Sequence, residues 1–96
     1  MAFVAMFDSR QAAEMLKQRH SDTLRRIDNL YCSNEFRAEN YQESTYKDKL
    51  GRERRMVFIS KYGMMFLLME SGHRKSTAFK IHLLECLHKV ERLFVV

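Results

Sequence analysis

The sequence predicts a small α+β domain of winged helix-turn-helix type, with a β-hairpin wing and a long C-terminal helix. Three observations predict it. Residues 10–31 hold two short amphipathic stretches separated by a brief polar break. A Tyr/Thr-rich stretch and a Val/Phe/Ile-rich stretch flank the cationic segment KDKLGRE at 47–53. The stretch MVFISKYGMMFLLM at 56–69 carries the densest apolar run in the chain, so the rest should be what covers it. Two short helices followed by a hairpin with a basic tip give the outline of a helix-turn-helix and its wing.

Taken in order, residues 2–6 (AFVAM) are short and apolar and predict an edge strand. Asp8-Ser9 is a helix-start signal, and residues 10–18 predict the first helix, with Ala12, Ala13 and Leu16 on one stripe and Met15 beside it. His20-Ser21-Asp22 breaks the pattern. Ser21 or Asp22 is expected to cap a second helix reaching about Tyr31, with Leu24, Ile27 and Leu30 or Tyr31 inward and Asp22, Arg25, Arg26 and Asn29 outward. Residues 33–40 are polar and predict a loop.

Residues 41–46 and 54–59 predict the two hairpin strands, with Asp48 and Gly51 supplying turn chemistry. The unbroken run 56–59 suits a strand buried on both faces. Ser60 offers a cap, and residues 64–69, apolar at every position, predict a helix covered on all sides. Six residues are far too few to cross a bilayer, which needs about 20. Glu70-Ser71-Gly72 should end this helix, Gly72 as its C-terminal cap. A last helix is expected over about 74–94. Its broad face holds Phe79, Leu83, Cys86, Leu87, Val90 and Phe94, and a second, narrower stripe holds Ile81, Leu84 and His88.

One domain over residues 1–96 is expected, since the chain has no Pro, three Gly and no linker or repeat. Residues 1–7 are apolar but short and lead into Asp8, so no secretory leader is expected. Two cysteines, Cys32 and Cys86, make no disulfide framework and suit reduced thiols in a cytosolic protein. Seventeen Lys+Arg against twelve Asp+Glu give a net charge of +5, which favours phosphate-bearing partners without requiring them.

Catalysis and cofactors find little support. His82 and Cys86 are spaced to share a metal, but no further ligand is forced near them, and a small thiol on a core stripe is ordinary. Neither cysteine has a nucleophile's flanking signature. Glu39 and Glu43 suit a solvated edge, and there is no Gly-rich phosphate loop. The seven Met are gap-fillers of a core rather than a peptide groove. The expectation is therefore a non-enzyme with no metal and no cofactor.

SRQAAEMLKQRHSDTLRRIDNL, then YKDKLGRERRMVFISKYGMMFLLM, then KSTAFK resembles the Rha family of bacteriophage regulatory proteins. The matching positions are Ser9, Arg10, Arg19, His20, Leu24, Arg25, Ile27, Gly51, Arg52, Met56, Gly63, Leu67, Met69, Phe79 and Lys80, in the family's order. Three places depart from its pattern. Lys17 stands where Gly usually precedes the Arg-His pair, so that turn is expected to close differently. Tyr62 stands where an acidic residue is usual, and ESGH (70–73) replaces a Gly-Phe-Thr-Gly bend. The resemblance implies a phage or prophage regulator, working in the cytoplasm of its bacterial host, associated with lysogeny and with interference in hosts lacking integration host factor.

The combined expectation is a regulator that binds double-stranded DNA. Arg19, Ser21, Thr23, Arg25 and Arg26 would meet the major groove and its flanking phosphates, while Lys47, Lys49, Arg52 and Arg54 would contact backbone. His20 either braces the turn or touches a phosphate or base edge. A solvated hairpin whose cations only guard an edge is the plainer account of the tip. Ile81, Leu84 and His88 would form a homodimer contact unless residues 2–6 cover them. The alternative function is a protein–protein inhibitor or antirepressor acting on a host or phage regulatory protein. No membrane association is expected.

Overall fold

In the computed structural model, which describes residues 7–71 and 77–92, the chain runs β1 (Phe7–Asp8), α1 (Ser9–Leu16), α2 (His20–Asp28), α3 (Asn34–Asn40), β2 (Tyr41–Lys47), β3 (Glu53–Ile59), α4 (Lys61–Ser71) and α5 (Thr77–Arg92). The architecture is α+β, with a three-stranded antiparallel sheet in the order β1-β3-β2. β3 is the middle strand. It pairs with β2 from Tyr41↔Ile59 to Lys47↔Glu53 and with β1 at Phe7↔Ile59 and Asp8↔Phe58. Its inner half carries the apolar run: Met56, Val57 and Ile59 are buried and Phe58 is half-buried.

α1 begins as its first residues dictate. The Asp8 carboxylate accepts the N–H groups of Arg10 and Gln11, and the Gln11 side chain accepts the Asp8 N–H at 2.8 Å, a reciprocal cap. Ala12, Ala13 and Leu16 face the core. The helix ends at Lys17, which itself adopts the left-handed conformation (φ 57°, ψ 45°) and donates its N–H to the α1 carbonyls of Ala13 and Glu14. The turn therefore closes as a glycine would close it, and the expectation of a different closure is corrected. A side chain here pushes Cβ against the following carbonyl, a strain glycine lacks.

Four further expectations are corrected. α2 starts at His20 with Arg19 as its N-cap, so Ser21 and Asp22 lie in its first turn and do not cap it. α2 ends at Asp28, short of Tyr31, and of the two inward candidates Leu30 takes the place while Tyr31 is 96% exposed. Residues 34–40 form α3 where a loop was expected. The Ser33 hydroxyl accepts the Phe36 N–H, the Phe36 ring packs edge-on against Phe66, and Arg37 donates to the carbonyls of Ile27 and Leu30. α4 is buried along Met64, Leu67 and Leu68 but leaves Tyr62 and Met69 each 64% exposed, so it is covered on one side rather than all round.

The Ser60 hydroxyl does cap α4, accepting the Gly63 N–H at 3.1 Å. Gly63 lies so close to the α3–β2 junction that an added Cβ would stand 2.8 Å from the Asn40 carbonyl oxygen. The Gly63 carbonyl in turn accepts the buried Tyr41 hydroxyl at 2.8 Å. On α5, Cys86 and Val90 are buried and Leu87 is half-buried, whereas Ile81 and Leu84 are 52% and 65% exposed. The expected strand at 2–6, the Gly72 cap, Phe94 and the side chains of Phe79 and Leu83 lie outside the described residues.

Replacing Lys17 with Gly should raise stability by about 1 kcal/mol, since it removes the left-handed strain of a β-carbon. In a domain of this size that is a rise of roughly 4–8 °C in Tm. Urea denaturation of Lys17→Gly against the parent checks it, and an unchanged midpoint would show the turn to be unstrained.

Candidate nucleic-acid interface

α2 and the β2–β3 hairpin are joined by side chains at two points. At one end the His20 ring meets the Tyr46 ring edge-on, with centroids 5.9 Å apart, and the Arg10 guanidinium lies 4.1 Å over that same tyrosine. At the other end Arg55 on β3 donates two hydrogen bonds to the Asp28 carboxylate, at 2.7 and 2.9 Å, and two more to Glu43 on β2. Arg55 keeps its charge strongly, and its hydrogen bonds hold the Asp28 carboxyl below the usual carboxylate range. A bidentate network of this kind orients α2 more firmly than an isolated surface pair.

Between these ends sits Ser9. Its fully buried hydroxyl accepts the Val57 N–H at 3.0 Å and lies 2.7 Å from His20 Nε2. With the lone pair facing Val57 in use, the arrangement that satisfies every group has Ser9 Oγ–H donating to a neutral His20. Burial, and then the nearby Arg10, lower the His20 pKa, which agrees with that neutral form. His20 therefore braces the helix start against α1 through Ser9 and against β2 through Tyr46.

The sequence-predicted contact residues separate into three groups. Arg19, Ser21 and Arg25 are exposed on α2, and Asp22 pairs with Arg19 at 3.0 Å and lies 3.8 Å from Arg25. Arg26 is half-exposed and lines a polar cleft of about 500 Å³ with Gln18, Asp22, Arg25, Asn29, Leu30 and Glu70. Thr23 belongs elsewhere: it is fully buried and its hydroxyl donates to the Arg19 carbonyl at 3.2 Å, so it is corrected from a groove contact to a helix brace.

At the hairpin tip, Lys47 and Lys49 are exposed, while Arg52 and Arg54 both donate through Nε to Asp48 Oδ2, at 3.1 and 3.0 Å. The Arg52 N–H first, and then the Arg54 side chain, hold the Asp48 carboxyl below its ordinary range. Among the described residues no carboxylate lies within ion-pair distance of Arg26, Lys47 or Lys49. Sequence reasoning missed Ser9, Tyr46 and the Arg55–Asp28 pair as the joint. Only the Ser-Arg start and the Arg-His pair hinted at it.

His82 and Cys86 both turn to the Met15 carbonyl, His82 Nε2 at 2.8 Å and Cys86 Sγ at 3.7 Å. Among the described residues no group of three or more His, Cys, Asp or Glu is placed to hold a metal ion. Burial pushes the Cys86 thiol pKa up. No helix among the described residues is long and apolar enough to cross a membrane.

These features define a class: a small basic α+β domain in which a helix pair is pinned to a hairpin, with cations exposed on both. The chain belongs to the Rha family of phage regulatory proteins, whose model, "Phage regulatory protein Rha", matches residues 7–92. An uncharacterized protein of Haemophilus influenzae is 30% identical over 81 residues, covering 81% of this chain and 47% of its own length. The "SPbeta prophage-derived putative antirepressor protein YoqD" of Bacillus subtilis is 30% identical over 91 residues, covering 91% of this chain and 36% of its own. The chain thus spans less than half the length of either relative. No solved structure matches it. Family and relative together support a phage regulatory role.

The Ser9–His20 joint predicts a pH dependence. The folded pKa of His20 lies below the ordinary 6.5, so the unfolded chain binds the extra proton first. The stability this group contributes is complete above the ordinary value and is lost as pH falls through the folded one. Asp28 and Asp48, lowered from 3.8, lose theirs only at lower pH. Urea midpoints at about pH 7.5 and 5.5 should therefore fall for the parent and change much less for His20→Gln. Ser9→Ala, which strands the buried Val57 N–H, should cost about 1–3 kcal/mol at the higher pH. Equal pH slopes for parent and His20→Gln would refute the account.

Proposed function

We propose that the protein is a non-catalytic phage regulator that binds duplex DNA, with α2 entering the major groove and the β2–β3 hairpin acting as its wing. The observation that carries this reading is the joint just described. It ties α2 to the hairpin at Tyr46 and at Arg55, which supports Arg19, Arg25 and Arg26 acting together with the tip cations Lys47 and Lys49 on one duplex. The order β1-α1-α2-α3-β2-β3, with β1 on the edge of β3 away from β2, supports the reading, since a helix pair precedes a hairpin, with α3 standing between them. Ser21, Arg25 and Arg26 are the base-edge candidates. Arg19, Lys47 and Lys49 serve phosphates, with Arg52 and Arg54 contributing while they hold the tip. His20 acts from behind, as the brace.

A second reading has the same fold inhibiting a host or phage regulatory protein. The antirepressor description of the Bacillus relative favours it, as do the exposed Ile81 and Leu84. In the DNA reading these two residues and His88 centre a two-fold homodimer that sets two α2 helices about 34 Å apart, one turn of DNA.

Fluorescence anisotropy on the surrounding phage promoter DNA over a salt series tests the DNA reading. Arg25→Ala or Arg26→Ala should weaken specific binding by about 1–3 kcal/mol. Lys49→Ala should weaken binding to all sequences alike and lower the salt slope by about one. Negligible affinity at low salt transfers the weight to the protein-binding reading.

Light scattering tests the dimer. Leu84→Glu should convert a dimer into a folded monomer with much weaker DNA binding, and a parent that stays monomeric at high micromolar concentration rules the dimer out.

A further inference from the structure

We propose that Leu50 is an apolar wedge that the hairpin tip presses into the minor groove of duplex DNA, partly unstacking one base step. The inference rests on the DNA-binding reading and deepens it by naming the residue and groove that the tip uses. Leu50 is 76% exposed at the apex of the turn between β2 and β3. A lone exposed leucine is ordinary. This one is distinguished by how it is held.

The turn is closed by the Gly51 N–H on the Asp48 carbonyl at 2.9 Å and by the Asp48 N–H on the Arg52 carbonyl at 3.0 Å. Asp48 Oδ1 accepts the N–H groups of Leu50 and Arg52, at 2.9 and 3.0 Å, and Oδ2 accepts Nε of Arg52 and of Arg54. One carboxylate thus fixes the backbone on both sides of Leu50. Gly51, at φ 76°, supplies the left-handed residue such a turn needs, and a Cβ there would meet nothing within 4 Å. The leucine stands clear of its surroundings on a rigid mount, so little ordering entropy is lost when it is buried by a partner.

The surroundings select the partner. Lys47 and Lys49 precede the apex with no carboxylate partner among the described residues, and Arg52, whose Nε donates to Asp48 while its side chain stays 59% exposed, follows it. Cations on both sides of an apolar tip suit a groove with phosphates along both walls. The minor groove is about 6 Å wide. Two strands about 4.8 Å apart with their side chains exceed that width, so the ribbon stays outside and only the apex side chain enters. Leucine has no donor or acceptor and reads no base edge. It acts by wedging, and so favours steps that unstack easily, the pyrimidine–purine ones.

The test uses the full chain and the tightest duplex selected from a random pool against the parent. End-labelled energy transfer reads the bend, and 2-aminopurine placed at successive steps reads unstacking. Leu50→Ala should fold as the parent does, bind about ten-fold more weakly, and lose both the bend and the 2-aminopurine signal. Its salt slope should be unchanged, because no phosphate contact is removed. Leu50→Met should keep the bend. If Leu50→Ala binds and bends the duplex like the parent, or loses affinity with the bend and signal intact, the wedge is overturned and DNA binding stands. If no duplex in the pool binds the parent, the DNA reading itself falls and the wedge falls with it, leaving the tip to a protein partner.

Discussion

The Ser9 hydroxyl is the contact on which the relative placement of helix and hairpin depends. It sits at the first turn of α1, accepts a backbone N–H from the middle strand and meets the first residue of α2. Three elements that touch the outside world through different side chains are thereby referred to one buried atom. A hydroxyl suits the position because it can accept from Val57 and donate to His20 at once, which neither an alanine nor a charged group could do. Moving His20 to its charged form would reverse the second bond and leave the Ser9 proton without an acceptor. That is why burial and the cationic neighbourhood, which disfavour the charge, also keep the joint closed.

A second junction does the same for the core. The α3–β2 corner and the β3–α4 corner interlock: the Ser60 N–H donates to the Asn40 carbonyl, the Ser60 hydroxyl to Asn40 Oδ1, and the Tyr41 hydroxyl to the Gly63 carbonyl. Gly63 permits the approach because any larger residue would drive its Cβ into the Asn40 carbonyl. Behind this lock Met64, Leu67 and Leu68 share one buried cluster with Val57 and Ile59 of the sheet, Ala12 and Leu16 of α1, and Cys86 and Val90 of α5. The apolar helix is thus held at its start by polar contacts and along one face by packing.

The charges divide by task. Asp28 and Glu43 are occupied by Arg55, Asp48 by Arg52 and Arg54, and Asp22 by Arg19 with Arg25 nearby. On α2 and the hairpin the carboxylates in these pairs are tied to internal geometry, which leaves a positive balance facing outward from a chain of net charge +5. A phage regulator of the Rha family built this way presents its cations on a preset surface rather than on mobile arms.

The sequence by itself determined what depends on near neighbours. Asp8 with Gln11 three residues on is a helix start, Asp48 and Gly51 set the hairpin and its register, Ser60 starts α4, and the order of motifs marks the family. Helical spacing alone placed Ala12, Ala13, Leu16 and Ile27 inside. Tertiary structure decided the rest, because each remaining choice depended on a distant partner. Residues 34–40 are polar enough to be a loop and became α3 because Phe36 found Phe66 and Arg37 found the end of α2. Thr23 and Tyr31 sit where a one-residue change in helix phase or end exchanges inside for outside, and packing of Ile27 and Leu30 fixed that phase. Lys17 accepts a left-handed conformation because the helices on either side require the turn. Which arginines face outward and which are bound within was decided last, by the folding together of Asp28, Glu43 and Arg55 from three separate stretches of chain, a pairing to which neighbour spacing is blind.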